Sequence, residues 1–181
     1  MATKKTSNTE QKLLKELRSE YVSVRLQAAA HRNATPEVLL RALKDRSKSV
    51  RCNAAHNPNA TPEVLLRAME DKDYYVRCKA AAHPNATPEI LLIAVKDEDE
   101  RVRERAADSP NATPVVLLRA LKDEYVGVRW EVAKNPNATP EVLLRALKDE
   151  NEYVRNAAKE AIEKNPFFSL QVAALQAKVA S

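Results

Sequence analysis

The chain has 181 residues and a net charge of +5, and 44% of its residues are apolar, enough to form a core. A single glycine, Gly127, and only 4% aromatic residues exclude a sheet protein, which needs turn glycines and β-branched or aromatic strands. No apolar run approaches the roughly 18 residues of a membrane span, and Met1 to Asn8 lack the apolar stretch of a secretory leader, so an all-α, cytoplasmic protein is expected.

Residues 1–8 read as a disordered tail. From Thr9 the chain is periodic. Asn-Ala-Thr recurs at Asn33, Asn59, Asn85, Asn111 and Asn137, each 26 residues from the last. Val-Arg keeps the same beat at Val24, Val50, Val76, Val102, Val128 and Val154. This period predicts six stacked two-helix repeats over residues 9–165, because no single hairpin can bury its own apolar face.

The first helix of a repeat opens as in Thr35-Pro36-Glu37, with Thr as N-cap and Pro where no backbone donor is needed. Val38, Leu39, Leu40, Ala42 and Leu43 supply a wide apolar face. Glu37, Arg41 and Lys44 form a solvent stripe with an i,i+4 ion pair. Thr9 with Leu13, Leu14 and Leu17 is a first copy without the Pro. The second helix, around Val50 to Ala55, is expected to be shorter and open to 3₁₀ geometry. Asn-Pro-Asn-Ala ends it, with Asn suited to the left-handed position after a helix. In the last copy the second helix runs on from Val154 through Ile162, and Pro166 opens a capping helix over 166–181.

The unit Val-Arg-x-x-Ala-Ala-x-Asn-Pro-Asn-Ala-Thr-Pro-Glu-Val-Leu-Leu-Arg-Ala-Leu-Lys-Asp resembles the leucine-rich repeat variant family and is similar to HEAT-like repeats. The resemblance runs from about Thr9 to Pro166. It implies a right-handed α-solenoid whose second helices line the concave side. The family is also known with a cysteine-ligated iron–sulfur domain ahead of its repeats. With Cys52 and Cys78 as its only cysteines, this chain is expected to hold no cofactor.

The arginines Arg25, Arg51, Arg77, Arg103, Arg129 and Arg155 form a regular row that could track phosphates. An Asp precedes five of them by six positions: Asp45, Asp71, Asp97, Asp123 and Asp149. A structural Asp–Arg ladder, bonded within a repeat or across to its neighbour, is the favoured reading. HEAT-like repeats use such a ladder. Ser19 replaces Asp before Arg25, so that end is expected to be free.

His31, His56 and His83 are too dispersed for a metal site and read as polar helix ends. Cys52 and Cys78, in equivalent places of successive repeats, stand too far apart for a disulfide. No nucleophile–base grouping accompanies a Gly-rich turn, so no catalysis is expected.

The copies differ mainly on the second helix, beside Val and two or three positions after it. A binding groove there would use Tyr75, Lys79, Arg101, Arg105, Trp130 and Tyr153 as contacts, since aromatic and Arg residues are the usual interface anchors. A monomer that binds a protein or peptide is the reading preferred. Nucleic-acid binding through a basic concave surface stands as the alternative, as does a consensus array without a natural partner. Drift on an unconstrained surface would leave the same variation.

Overall fold

Thr-Pro and Asp-x-x-x-x-Val-Arg signals alternate along the chain, and helices alternate with them. The computed structural model describes residues 7–165, 168 and 170–172. In order the helices are α1 (Asn8–Glu16), α2 (Val22–Ala29), α3 (Pro36–Ala42), α4 (Lys48–His56), α5 (Pro62–Met69), α6 (Tyr74–Ala81), α7 (Pro88–Ala94), α8 (Glu100–Asp108), α9 (Pro114–Ala120), α10 (Val126–Lys134), α11 (Pro140–Ala146) and α12 (Glu152–Glu163). The described residues contain no strand. None of their helices is long and apolar enough to cross a membrane.

The chain divides into two compact units, Met1–Ile90 and Leu91–Ser181. In the first, α2, α4 and α6 pack successively on one another, as do α1, α3 and α5. In the second, α8, α10 and α12 form one row, with α9 and α11 in the other. Buried positions are filled alike at each step: Val38, Leu39 and Ala42 from a first helix, Val50, Ala54 and Ala55 from a second. The alanines of Asn-Ala-Thr are buried as well, where a larger side chain would hold the repeats apart.

Local signals set the helix starts. Thr35, Thr61, Thr113 and Thr139 each accept the N–H three residues on, with Pro in the first turn. The first copy departs from expectation. Its cap is Ser7, which accepts the Glu10 N–H at 3.1 Å, so the helix starts ahead of Thr9.

Two further expectations are corrected. The second helices are α-helical and not the shorter ones, with nine residues in α4 against seven in α3. Their ends use no left-handed residue: Asn57 is extended, with φ −64° and ψ 131°. Asn is needed there for its side chain. Asn57 Nδ2 donates to the carbonyls of Ala29 and His31 in the preceding repeat, at 2.9 and 3.1 Å, while Oδ1 accepts the Asn59 N–H. Asn135 does the same with Ala107, Ser109 and Asn137. The Asn of Asn-Ala-Thr adds a parallel ladder, Asn59 reaching Arg32 and Ala34, Asn137 reaching Pro110 and Ala112.

The ladder arginines reach forward into the next repeat. Arg51 Nε and Nη2 grip the Asp71 carboxylate at 2.6 and 3.1 Å, while Nη1 donates to the Asp45 and Arg46 carbonyls. Arg103–Asp123 and Arg129–Asp149 repeat this geometry. The Asp six residues before an Arg therefore contributes a backbone carbonyl, and its carboxylate belongs to the Arg of the preceding repeat. That carboxylate also accepts the N–H two residues on, as Asp71 does from Asp73 at 2.9 Å. Arg25 is not free, contrary to expectation: it is 5% exposed and grips Asp45, and the Ser19 carbonyl replaces nothing but a carbonyl. Arg155 keeps the carbonyl contacts, to Asp149 and Glu150.

Hydrogen bonding to Asp71 holds the Arg51 guanidinium above its ordinary range despite the opposing effect of burial. For Asp149, burial pushes the carboxyl up, but bonds from Arg129 and the Asn151 N–H outweigh it and hold it below its ordinary range. The stabilisation from Asp149 is therefore present above the unfolded-state pKa and is lost as pH falls through the folded one.

Beyond α12, Phe168 and residues 170–172 are helical and Val172 is buried. The rest of the expected capping helix, and residues 1–6 of the expected tail, lie outside the described residues.

One substitution in each ladder, with a third on an exposed ion pair for comparison, tests these ladders by urea unfolding. Asp71→Asn should cost about 3 kcal/mol by stranding the buried Arg51 guanidinium, whereas Glu141→Gln, on the exposed pair with Arg145, should cost under about 0.5 kcal/mol. Asn57→Ala should cost about 2 kcal/mol, because two carbonyls and an N–H lose their partner together.

Candidate functional site

On a second helix, Val and the residue four later face the core, so the residue before Val and those two or three after it face outward or sideways. Tyr75, Lys79, Arg101, Arg105, Trp130 and Tyr153 are all exposed. The rule is not uniform. Cys52, Cys78 and Glu104 are half-buried against the neighbouring helix, and Ala157 is buried.

In the unit Met1–Ile90 the exposed set centres on Tyr75. Its ring stacks on Tyr74 with centroids 4.2 Å apart, and Lys48 Nζ lies 5.0 Å from its centroid. Lys48 also approaches Asp73, the N-cap of α6, at 3.6 Å. Lys79 stands nearby, on the side of Cys52. Burial, with Asp73 next in effect, pushes the Cys52 thiol above its ordinary range, so it is not an activated nucleophile.

In the unit Leu91–Ser181, Trp130 and Tyr153 share a hollow of about 560 Å³ on α10 and α12, which Lys134, Asn156, Glu160 and Phe168 also line. Lys134 Nζ sits 3.6 Å from the Trp130 ring centroid, a cation–π contact within α10. Sequence reasoning missed Lys134, although its i+4 spacing from Trp130 was a usable signal. It also missed Phe168, which only the turn after α12 brings to the hollow. Arg101 folds back on Asp99, with bonds at 3.0 and 2.8 Å, and Arg105 approaches Asp108.

Tyr21 and Tyr125 are exposed too, at 72% and 48%, at the N-caps of α2 and α10. Neither was singled out, because each falls three residues before Val, outside the positions compared.

The histidines split. His83 is 3% exposed and takes the ladder place of Asn57 and Asn135: Nε2 donates to the Asn57 carbonyl at 3.0 Å, and Nδ1 accepts the Asn85 N–H. Those two roles need the neutral ring, and burial holds its pKa below the ordinary range. His31 accepts the Asn33 N–H in the same way. No group of three metal-ligating side chains occurs among the described residues.

Gly127 gives Glu104 its room. A Cβ at residue 127 would collide with the Glu104 carboxylate, which packs between α8 and α10. Burial there, with Glu131 next in effect, pushes the Glu104 carboxyl above its ordinary range. A raised folded pKa means stability is lost as pH rises through it. Glu104→Gln is therefore expected to raise Tm at pH 7 and to lose that advantage below the carboxylate range, as read by thermal melts at both pH values.

No family model matches the sequence, and no curated protein matches it. Among solved structures the chain is similar to one described as a leucine-rich repeat variant with a novel repetitive protein structural motif. The two share 26% identity and a TM-score of 0.66 over 92% of this chain and 71% of that one. The resemblance carried by the 26-residue motif thus extends to the structure, an all-α helical repeat similar to the leucine-rich repeat variant.

Proposed function

We propose that the chain is a non-enzymatic binding or scaffold module that takes a protein or peptide on the face presented by its second helices. The carrying observation is a division between positions. Val50, Val76, Val102, Val128 and Val154 are fully buried and never vary, while the position before them holds Ser49, Tyr75, Arg101, Gly127 and Tyr153 in turn. The exposed positions of these helices include Tyr75, Trp130 and Tyr153, rings that supply large contact area at small entropic cost. Within each unit the second helices pack successively on one another, α2, α4 and α6 in one and α8, α10 and α12 in the other, so their outward residues share one face.

In the unit Leu91–Ser181 the hollow between Trp130 and Tyr153 suits an apolar side chain of the partner, with Lys134 and Lys164 at its rim to favour a nearby carboxylate. Phosphate tracking by the arginine row is disfavoured, because Arg25, Arg51, Arg103 and Arg129 are already engaged by carboxylates.

The test is a peptide library selected on the wild-type chain. Trp130→Ala should bind the selected peptides more weakly by at least about 1 kcal/mol, with the helical CD spectrum unchanged. Peptides that bind both chains equally would remove Trp130 from the site.

A further inference from the structure

We propose that the turn edge of the first two repeats binds a small anion carrying two or more phosphates, held by Arg18, Arg41, Lys44 and Arg46. The position after the ladder aspartate separates this edge from its counterparts later in the chain. In the unit Leu91–Ser181 that position is a glutamate whose carboxylate turns to the ladder: Glu124 lies 3.9 Å from Arg103 and Glu150 lies 3.1 Å from Arg129. Each of those rungs is closed by a second carboxylate. In the unit Met1–Ile90 the same position is Arg46 and then Lys72. Asp45 is already taken by Arg25 and the Ser47 N–H, and the residue beside it brings a further positive charge.

The preceding turn deepens the imbalance. Ser19 stands where later turns carry Asp, so one carboxylate is missing. Arg18, Arg41, Lys44 and Arg46 are exposed, and none of their side chains has a hydrogen-bond or ion-pair partner among the described residues, so the expected Glu37–Arg41 pair does not form, unlike Glu141–Arg145. All four line one hollow of about 430 Å³ between the α1–α2 and α3–α4 turns, together with the Arg25–Asp45 pair. Glu20 is the one carboxylate in that hollow outside the pair, and Glu37 and Glu63 line the adjoining hollow with Arg18, Arg41 and Lys44 without pairing with them. Like charges gathered this closely repel one another, and a bound polyanion relieves the repulsion. Guanidinium forks also match phosphate oxygens two at a time.

The basic surface is concentrated at this edge: Lys44 and Arg46 also line the next hollow beside Lys72, but Glu70 and Asp71 stand there as well. In the following repeat Arg67 is tied to Glu70, and the corresponding hollow around Arg129 is lined by Glu124 and Glu150. An extended nucleic acid needs cations along its whole path, whereas a compact phosphate ligand needs only this cluster.

Isothermal titration of the full chain with pyrophosphate at low ionic strength tests the site. One binding event is expected, weakened about tenfold or more by Arg46→Glu, the residue type that closes the later rungs. Arg41→Gln with Lys44→Gln should weaken it comparably, while Lys72→Glu, acting only through its field from the next turn, should weaken it several-fold less than Arg46→Glu does. CD and urea midpoints of each variant separate lost binding from lost folding. Trp130→Ala should leave pyrophosphate binding unchanged, so failure here and failure of the peptide-binding reading are distinct. The proposal is overturned by absence of binding, by an Arg46→Glu chain that binds as the wild type does, or by a single-stranded oligonucleotide binding tightly with equal sensitivity to Arg46→Glu and Lys72→Glu.

Discussion

A ladder arginine sits between two segments of chain, its Nη1 on the carbonyls of its own turn and its Nε–Nη2 fork on a carboxylate from the next repeat. Removing a guanidinium from water costs several kcal/mol unless every donor finds a partner, so the fork tolerates little displacement of the neighbouring repeat. Asp suits the other half because it also closes its own turn through the N–H two residues on. The longer Glu would have to choose between the two tasks. Asn57 and Asn135 impose the same condition at the opposite end of the hairpin, each reaching two carbonyls of the preceding repeat. Apolar burial drives stacking without fixing direction, and these two ladders convert it into one register.

This division of labour decides what is left for recognition. Groups committed to the ladders repeat in kind, or are replaced by residues that can fill the same role, as His83 replaces Asn with its neutral ring. Side chains outside the ladders and the core have no such obligation. They include the aromatic and basic residues of the second helices and the cations beside the first two turns. The ladder arginines Arg25, Arg51, Arg103 and Arg129, most suggestive of phosphate binding, are thus unavailable for it, whereas cations next to Ser19 and Asp45 in the chain, at Arg18, Lys44 and Arg46, remain unengaged.

Helix identity, the repeat period and the Thr-Pro starts were legible because each depends on residues within a few positions of one another: a hydroxyl near an N–H, a Pro in a first turn, apolar residues one turn apart. The Asp–Arg ladder was legible as a pair of residue types, but the choice of partner was not. A spacing of six within the chain and of twenty to the next Asp are equally regular, and only packing decides which carboxylate meets the fork. The same blindness placed Asn57 in a left-handed conformation, when its side chain was needed by carbonyls 26 and 28 residues back. It also left Arg25 without the partner that Asp45 supplies from the next repeat.

The candidate site divides along the same line. Exposure of Tyr75, Trp130 and Tyr153 follows from helical periodicity, so the sequence by itself determined which residues face outward. That Lys134 lies over the Trp130 ring, that Phe168 joins the Tyr153 hollow, and that Glu104 needs the space at Gly127 are matters of which helices lie side by side. Only the tertiary structure decided those, because proximity between segments is set by the packing of whole repeats and not by any local run of residues.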